Sequence, residues 1–221
     1  MSQDVKPERR PYQSVRRREQ AAQTRRDILA AAGTLFRDRG YGQTSMPAIA
    51  GKAGVVIETV YRAFGSKSGL FRAVVEAALA GGPTRADIPV EERPAIRAVI
   101  EEADPRRKLE LYAATQPGIH QRSGPLLRAL RDAAPTDPVL ESLWQELEHW
   151  RLDGQGRLAG ELAKGGHIRG GLSVEDARDA IWTLCSLAVY DQLVGARGWA
   201  PEKYRDWLAR TLADSLLPSH R

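Results

Sequence analysis

Between residues 40 and 67 the chain is cut into pieces too short for anything except a compact helical unit. Gly40, Ser45, Gly54 and the run Gly65-Ser66-Lys67 are the cuts. Ahead of them, from about Glu19 to Arg39, the apolar residues Ile28, Leu29, Ala32, Leu35 and Phe36 recur at i, i+1, i+4, i+7 and i+8, one face of a helix that Gly40 ends. Ser45 can then N-cap a short helix from Met46 to about Lys52, with Pro47 in the first turn, where its missing N–H costs nothing. Gly54 marks a turn. A second short helix, about Val56 to Phe64, presents Val60 and Phe64 inward and leaves Ile57, Glu58, Thr59, Tyr61 and Arg62 more exposed. A further helix, about Ser68 to Ala80, carries Leu70, Phe71, Val74, Val75 and Leu79 on its apolar side.

Two short helices joined by a glycine turn and braced by a longer helix are the plan of a helix-turn-helix, whose second helix enters the DNA major groove. The charge distribution agrees. Residues 1–80 hold 14 Lys/Arg against 7 Asp/Glu, while residues 81–221 hold 19 against 21, so a net charge of +5 is a basic head on a slightly acidic body. A concentrated positive field attracts polyanions, nucleic acid or an anionic membrane surface. In the helix-turn-helix reading Thr44, Ser45 and the amides of the first short helix approach phosphate from one side. Lys67 clamps phosphate from the other, and Tyr61 reaches the backbone through its hydroxyl. Residues 1–18, with Pro7, Pro11 and six basic residues, are expected to be a disordered basic arm that is either solvated or in contact with phosphate.

The run Thr24, Ile28, Ala31-Ala32, Leu35-Phe36, Gly40-Tyr41, Thr44-Ser45, Ile49-Ala50, Ala53-Gly54-Val55, Thr59-Val60-Tyr61, Phe64-Gly65-Ser66-Lys67, Leu70-Phe71 resembles the N-terminal domain of TetR-family transcriptional regulators. It keeps the family's spacing over about 50 residues without a gap. The resemblance implies a dimeric, ligand-responsive repressor with an all-α fold: a three-helix DNA-binding domain over residues 19–66, and a larger helical effector-binding and dimerisation domain over residues 67–221. Where the family's recognition helix usually opens with a serine cap and a basic or small polar residue, this chain has Val56 and Ile57; where histidine often precedes the phenylalanine, it has Ala63. Val56 and Ile57 are therefore expected to read thymine methyl groups by apolar contact. Glu58 either accepts from cytosine N4 or is a solvated first-turn residue that stabilises the helix dipole. Thr59 and Arg62 complete the DNA-facing set.

Past Gly81-Gly82-Pro83 the pattern lengthens into helices expected at about 91–102, 105–121, 123–133, 137–164, 173–196 and 201–216. Strand signals are nearly absent. The last two helices are the expected dimer surface, with stripes through Val174, Ala177, Ile181, Leu184, Ala188 and Asp191, and through Tyr204, Trp207, Leu208, Thr211, Leu212 and Ser215. If the family resemblance holds, the middle helices enclose an effector pocket. Its expected lining is Tyr112, Gln116 and His120, four residues apart, with Trp144, Leu147 and Trp182; the alternative is that these side chains are simply core. Pro117-Gly118 should kink or break their helix, and a complete break would take His120 off the face shared by Tyr112 and Gln116.

Several classes fall away on composition. One cysteine, Cys185, excludes an intramolecular disulfide framework and a cysteine-based structural zinc site. No histidine has carboxylate or thiol partners at metal-ligand spacing, so no metal and no cofactor are expected. The start of the chain lacks the apolar segment of a secretory signal, and no uncharged apolar run is long enough to span a bilayer, so a cytoplasmic protein without a membrane partner is expected. No nucleophile–base pair or phosphate loop can be assembled, which leaves an enzyme or carrier as a distant alternative and a constitutive DNA-binding regulator as a nearer one. The expected partners are an operator in duplex DNA, a small-molecule effector and a second copy of the chain.

Overall fold

A computed structural model describes residues 10–84 and 88–218, and every regular element among them is helical. The N-terminal end consists of α1 (Arg10–Arg39), α2 (Met46–Ala53), α3 (Ile57–Phe64) and α4 (Lys67–Ala80). The body follows as α5 (Pro94–Glu101), α6 (Pro105–Ala133), α7 (Pro138–Lys164), α8 (Val174–Leu184), α9 (Leu187–Tyr190) and α10 (Pro201–Leu216). No helix among the described residues is long and apolar enough to cross a membrane.

The short helices form where the punctuation places them. Ser45 and Ser66 accept the Ala48 and Gly69 amides, at 3.3 and 3.0 Å, and so cap α2 and α4. Gly54 sits in the left-handed region (φ 67°), which allows the chain to reverse between α2 and α3. At the next turn, a methyl group on Gly69 would stand 2.4 Å from the Phe64 carbonyl oxygen. Only glycine lets α3 and α4 meet this closely.

Three expectations about helix limits are corrected. Helix α1 begins at Arg10 rather than about Glu19, so the expected disordered arm is helical from there onward; its residues 1–9 lie outside the described residues. Pro11 falls in the first turn, where it is tolerated, and the residues after it contain no glycine or proline before Gly33. The two helices expected at 105–121 and 123–133 are one: α6 runs unbroken through Pro117 and Pro125. Each proline removes an i→i−4 bond, and burial of α6 between α10 on one side and α4 on the other outweighs that local cost. Conversely, the single helix expected at 173–196 is three elements. Helix α8 stops at Cys185, Ser186 caps the one-turn α9, and Asp191–Ala196 forms a π-helical turn.

Two apolar cores result. The first joins the N-terminal end to the body: Ile28, Phe36, Ile49, Val60, Leu70, Phe71 and Val75 share it with Leu126 and Leu130 of α6 and Leu140, Leu143 and Leu147 of α7. The second fills the far end of the body with Leu109 and Ala113 of α6, Leu158 and Leu162 of α7, Ala177 and Ile181 of α8, and Tyr204, Leu208, Leu212 and Leu216 of α10. Between α6 and α7 the ammonium of Lys108, only 8% exposed, donates to Glu161 Oε2 at 3.0 Å and to the Ile100 carbonyl at 3.1 Å. The expected dimer stripes are accordingly corrected: Ala177, Ile181, Tyr204, Leu208 and Leu212 are spent on the interior of one subunit.

Candidate nucleic-acid interface and effector site

Helix α3 is fastened by its inner face and presents its outer one. Val60 is wholly buried and Phe64 half-buried against the first core. Arg25 of α1 donates to the Ala63 carbonyl at 3.0 Å, and its guanidinium lies 4.3 Å from the centre of the Phe64 ring, closing the C-terminal end of α3. This clamp depends on the approach of two elements 38 residues apart, which no local pattern marks. On the outer face Val56 is 66% exposed, Tyr61 is 47% exposed, and Glu58 and Arg62 are exposed beside them. Thr59 is half-buried. Val56 leaves the N-terminus of α3 without a side-chain cap.

Other residues of the expected DNA-facing set sit differently. Thr44 does not face outward: it is 1% exposed, and its hydroxyl donates to the Gly40 carbonyl at 2.8 Å, with the Leu35 carbonyl at 3.2 Å. It braces the turn between α1 and α2 because a hydroxyl buried there satisfies the Gly40 carbonyl just past the end of α1. Ser45 is exposed and already engaged as the α2 cap. Ile57, expected on the reading surface, is half-buried and packs against the first core, which leaves Val56 as the outward apolar side chain. The Lys67 ammonium rests 4.2 Å from the centre of the Tyr41 ring; burial lowers its pKa from the ordinary 10.5, opposed by the nearby Asp137 carboxylate. Tyr41 in turn stacks into Phe36 and Phe71, at 6.0 and 5.2 Å between ring centres.

The expected effector residues divide between two places. Trp144 and Leu147 belong to the first core, beneath the DNA-binding end, and are not neighbours of the Tyr112 group. Because α6 is continuous, Tyr112, Gln116 and His120 do share a face, and it points into the second core. Gln116 is 6% exposed, and its side-chain amide donates to Thr115 Oγ1 at 2.9 Å. Trp182 lies at the edge of this region, where the Arg151 guanidinium stacks on its ring at 4.5 Å and donates to its carbonyl at 2.8 Å. The Tyr112 hydroxyl is tied to Gln155 of α7 and to the Cys185 thiol; burial raises both acidic groups, the thiol to about 12. Burial also pushes His120 down to about 4, helped by the Arg151 charge and opposed by the Cys185 carbonyl, so the ring is neutral. Gln155, as partner of Tyr112, and Cys185, Tyr190 and Tyr204, as neighbours of His120, were missed. Nothing local marks them, since they come from four elements.

A helix-turn-helix seated on a larger helical body, with its outer helix exposed, is an arrangement that can lay one helix in a DNA major groove. Residues 28–74 match the family model described as bacterial regulatory proteins, tetR family. Solved structures extend the likeness of fold over nearly the whole chain. NalD from Pseudomonas aeruginosa, described as the secondary repressor of the MexAB-OprM multidrug efflux pump, is 20% identical, with 90% of this chain and 98% of that one covered and a TM-score of 0.66. The transcriptional regulator FadR from Bacillus subtilis, solved in complex with stearoyl-CoA, is 19% identical, covering 86% and 97%, with a TM-score of 0.68. No curated protein matches the sequence.

Proposed function

We propose that this protein is a homodimeric transcriptional repressor of the cytoplasm that holds an operator through α3 and releases it when a small molecule enters the body. The observation that carries the reading is the outward face of α3, Val56, Glu58, Tyr61 and Arg62, on a tetR-family domain at the basic end of the chain. One such helix contacts too few base pairs for specificity, so two copies at a spacing near one turn of DNA, about 34 Å, are needed. The outer faces of α8 and α10, opposite those used inside the subunit, are free for the second copy. NalD is a named repressor and FadR was solved with an acyl-CoA, which supports a ligand-responsive repressor here without identifying the ligand.

The path of the response follows the packing. Helix α6 holds His120 in the second core and Leu126 and Leu130 in the first, where Leu70, Phe71 and Val74 of α4 meet them. A ligand that displaces the middle of α6 moves the seat of α4, and with it α3, provided it binds the displaced state more tightly. Gel-shift titration on the DNA flanking the protein's own gene tests the reading. A specific complex whose affinity falls steeply with salt is expected, and absence of a shift at any salt overturns it. Light scattering should give twice the chain mass.

A further inference from the structure

The second core contains a defect of one kind in one place. Oε1 of Gln155 and the hydroxyl of Tyr204 are buried without a hydrogen-bond partner, and the ring nitrogens of His120 have none beyond a weak approach to the Cys185 carbonyl. The three residues are 6%, 3% and 0% exposed and come from α6, α7 and α10. Buried polar groups are nearly always paired, because an unmade bond leaves their desolvation uncompensated. Three helices bringing unpaired atoms to one locus is what a binding site for a polar ligand requires.

We infer that His120, Gln155 and Tyr204 form the polar end of the effector site and that it takes an uncharged, planar small molecule bearing both a hydroxyl and a carbonyl. This rests on the ligand-responsive reading above and specifies its chemistry. A neutral imidazole offers one donor and one acceptor, Gln155 Oε1 only accepts, and the Tyr204 hydroxyl donates. A ligand must therefore both give and take hydrogen bonds. The rings around it set the shape: His120 lies 4.8 Å from Tyr190 and 6.3 Å from Tyr204, with the two tyrosines 5.0 Å apart and nearly perpendicular, so the rings touch one another, and a ligand that enters by displacing Tyr190 replaces these contacts best with a flat ring of its own.

Charge is excluded by the same neighbourhood. The nearby cation, Arg151, is already paired with Glu148 at 2.8 Å and bonded to the Trp182 carbonyl. His120 is held neutral by burial. An ionised ligand would lose its hydration and find no free counter-charge. One wall of the site, from Cys185 through Tyr190 to Ala196, is the stretch where α-helix gives way to a single turn and then a π-helical turn. Such segments recur at functional sites because they change shape without breaking a long helical ladder.

Calorimetry and thermal melting of the full-length protein with para-hydroxyacetophenone, para-ethyltoluene and para-toluate test the chemistry. The hydroxy ketone is expected to bind and raise the Tm, with the hydrocarbon and the carboxylate at least about tenfold weaker. Tyr204→Phe and Gln155→Leu should each weaken the hydroxy ketone about tenfold; Tyr204→Phe, which removes only an unpaired hydroxyl, should leave the Tm of the ligand-free protein equal or higher, while Gln155→Leu also removes the partner of the Tyr112 hydroxyl and should lower it. Equal binding of the hydrocarbon or the carboxylate, no binding by any of the three, or undiminished binding by Tyr204→Phe overturns the inference. Release of operator DNA is read separately: a hydroxy ketone that binds as stated but leaves the DNA complex intact supports the site and removes the regulatory reading.

Discussion

The Arg72 guanidinium of α4 holds the Glu146 carboxylate of α7 through two hydrogen bonds, at 2.6 and 3.0 Å. It is a forked, two-point contact between the helix behind the recognition unit and the long helix of the body, and Ser142 adds a weaker bond to the same carboxylate at 3.4 Å. Both side chains are a third or more exposed, so the pair orients α4 rather than stabilising the fold appreciably.

That pairing sets an expected pH behaviour. Arg72 keeps the Glu146 carboxyl below the ordinary 4.5, so the contact is complete above that value and is lost as the pH falls through the lowered one. Carboxylate titration by NMR should return Glu146 upward in Arg72→Ala, with little change in the melting temperature. An unchanged Glu146 would mean that the forked contact is absent in solution.

His120 makes an opposite demand on a buried site. Its folded pKa, about 4, lies below the unfolded value of about 6.5. The unfolded chain therefore binds the proton first, and stability is full above about pH 6.5 and declines toward pH 4, by at most about 3 kcal/mol. Urea unfolding from pH 7 to 4 should show this slope, and His120→Leu should flatten it.

Thr44 is expected to act through the fold. Thr44→Val keeps the shape and removes a buried hydroxyl that bonds one buried and one part-buried carbonyl, and should cost about 1–2 kcal/mol in urea unfolding. Operator affinity of the folded fraction should be unchanged; a selective loss of DNA binding at full stability would restore Thr44 to the phosphate-facing set.

On the DNA side, charge and shape should separate. Lys67→Ala and Arg62→Ala should weaken binding to all sequences alike and lower the salt slope by about 1 each if each neutralises one phosphate. Val56→Lys or Ile57→Lys should instead change which sequences are selected from a random pool. Because Val56 is 66% exposed and Ile57 is half-buried, the larger change is expected from Val56.

How much of this was legible beforehand varied with the range of the interaction. The limits of α2, α3 and α4 were readable because caps and glycine turns act within a few residues, and Ser45, Gly54, Gly65 and Ser66 all stand where they are needed. The unbroken course of α6 was not, since the local cost of Pro117 is outweighed by neighbours far away in the chain. Arg25 on the end of α3, at a separation of 38 residues, was equally invisible.

By itself, then, the order of residues determined an all-helical chain, a helix-turn-helix with named inner and outer faces, and a basic head on an acidic body, because caps, turns and periodicity are local properties. Tertiary structure alone decided that Thr44 turns inward, that Trp144 and Leu147 belong under the N-terminal helices, and that His120 meets Tyr190 and Tyr204. Those outcomes depend on which helices lie side by side, and hydrophobic burial, which sets that arrangement, is non-directional and leaves no mark at the positions it brings together.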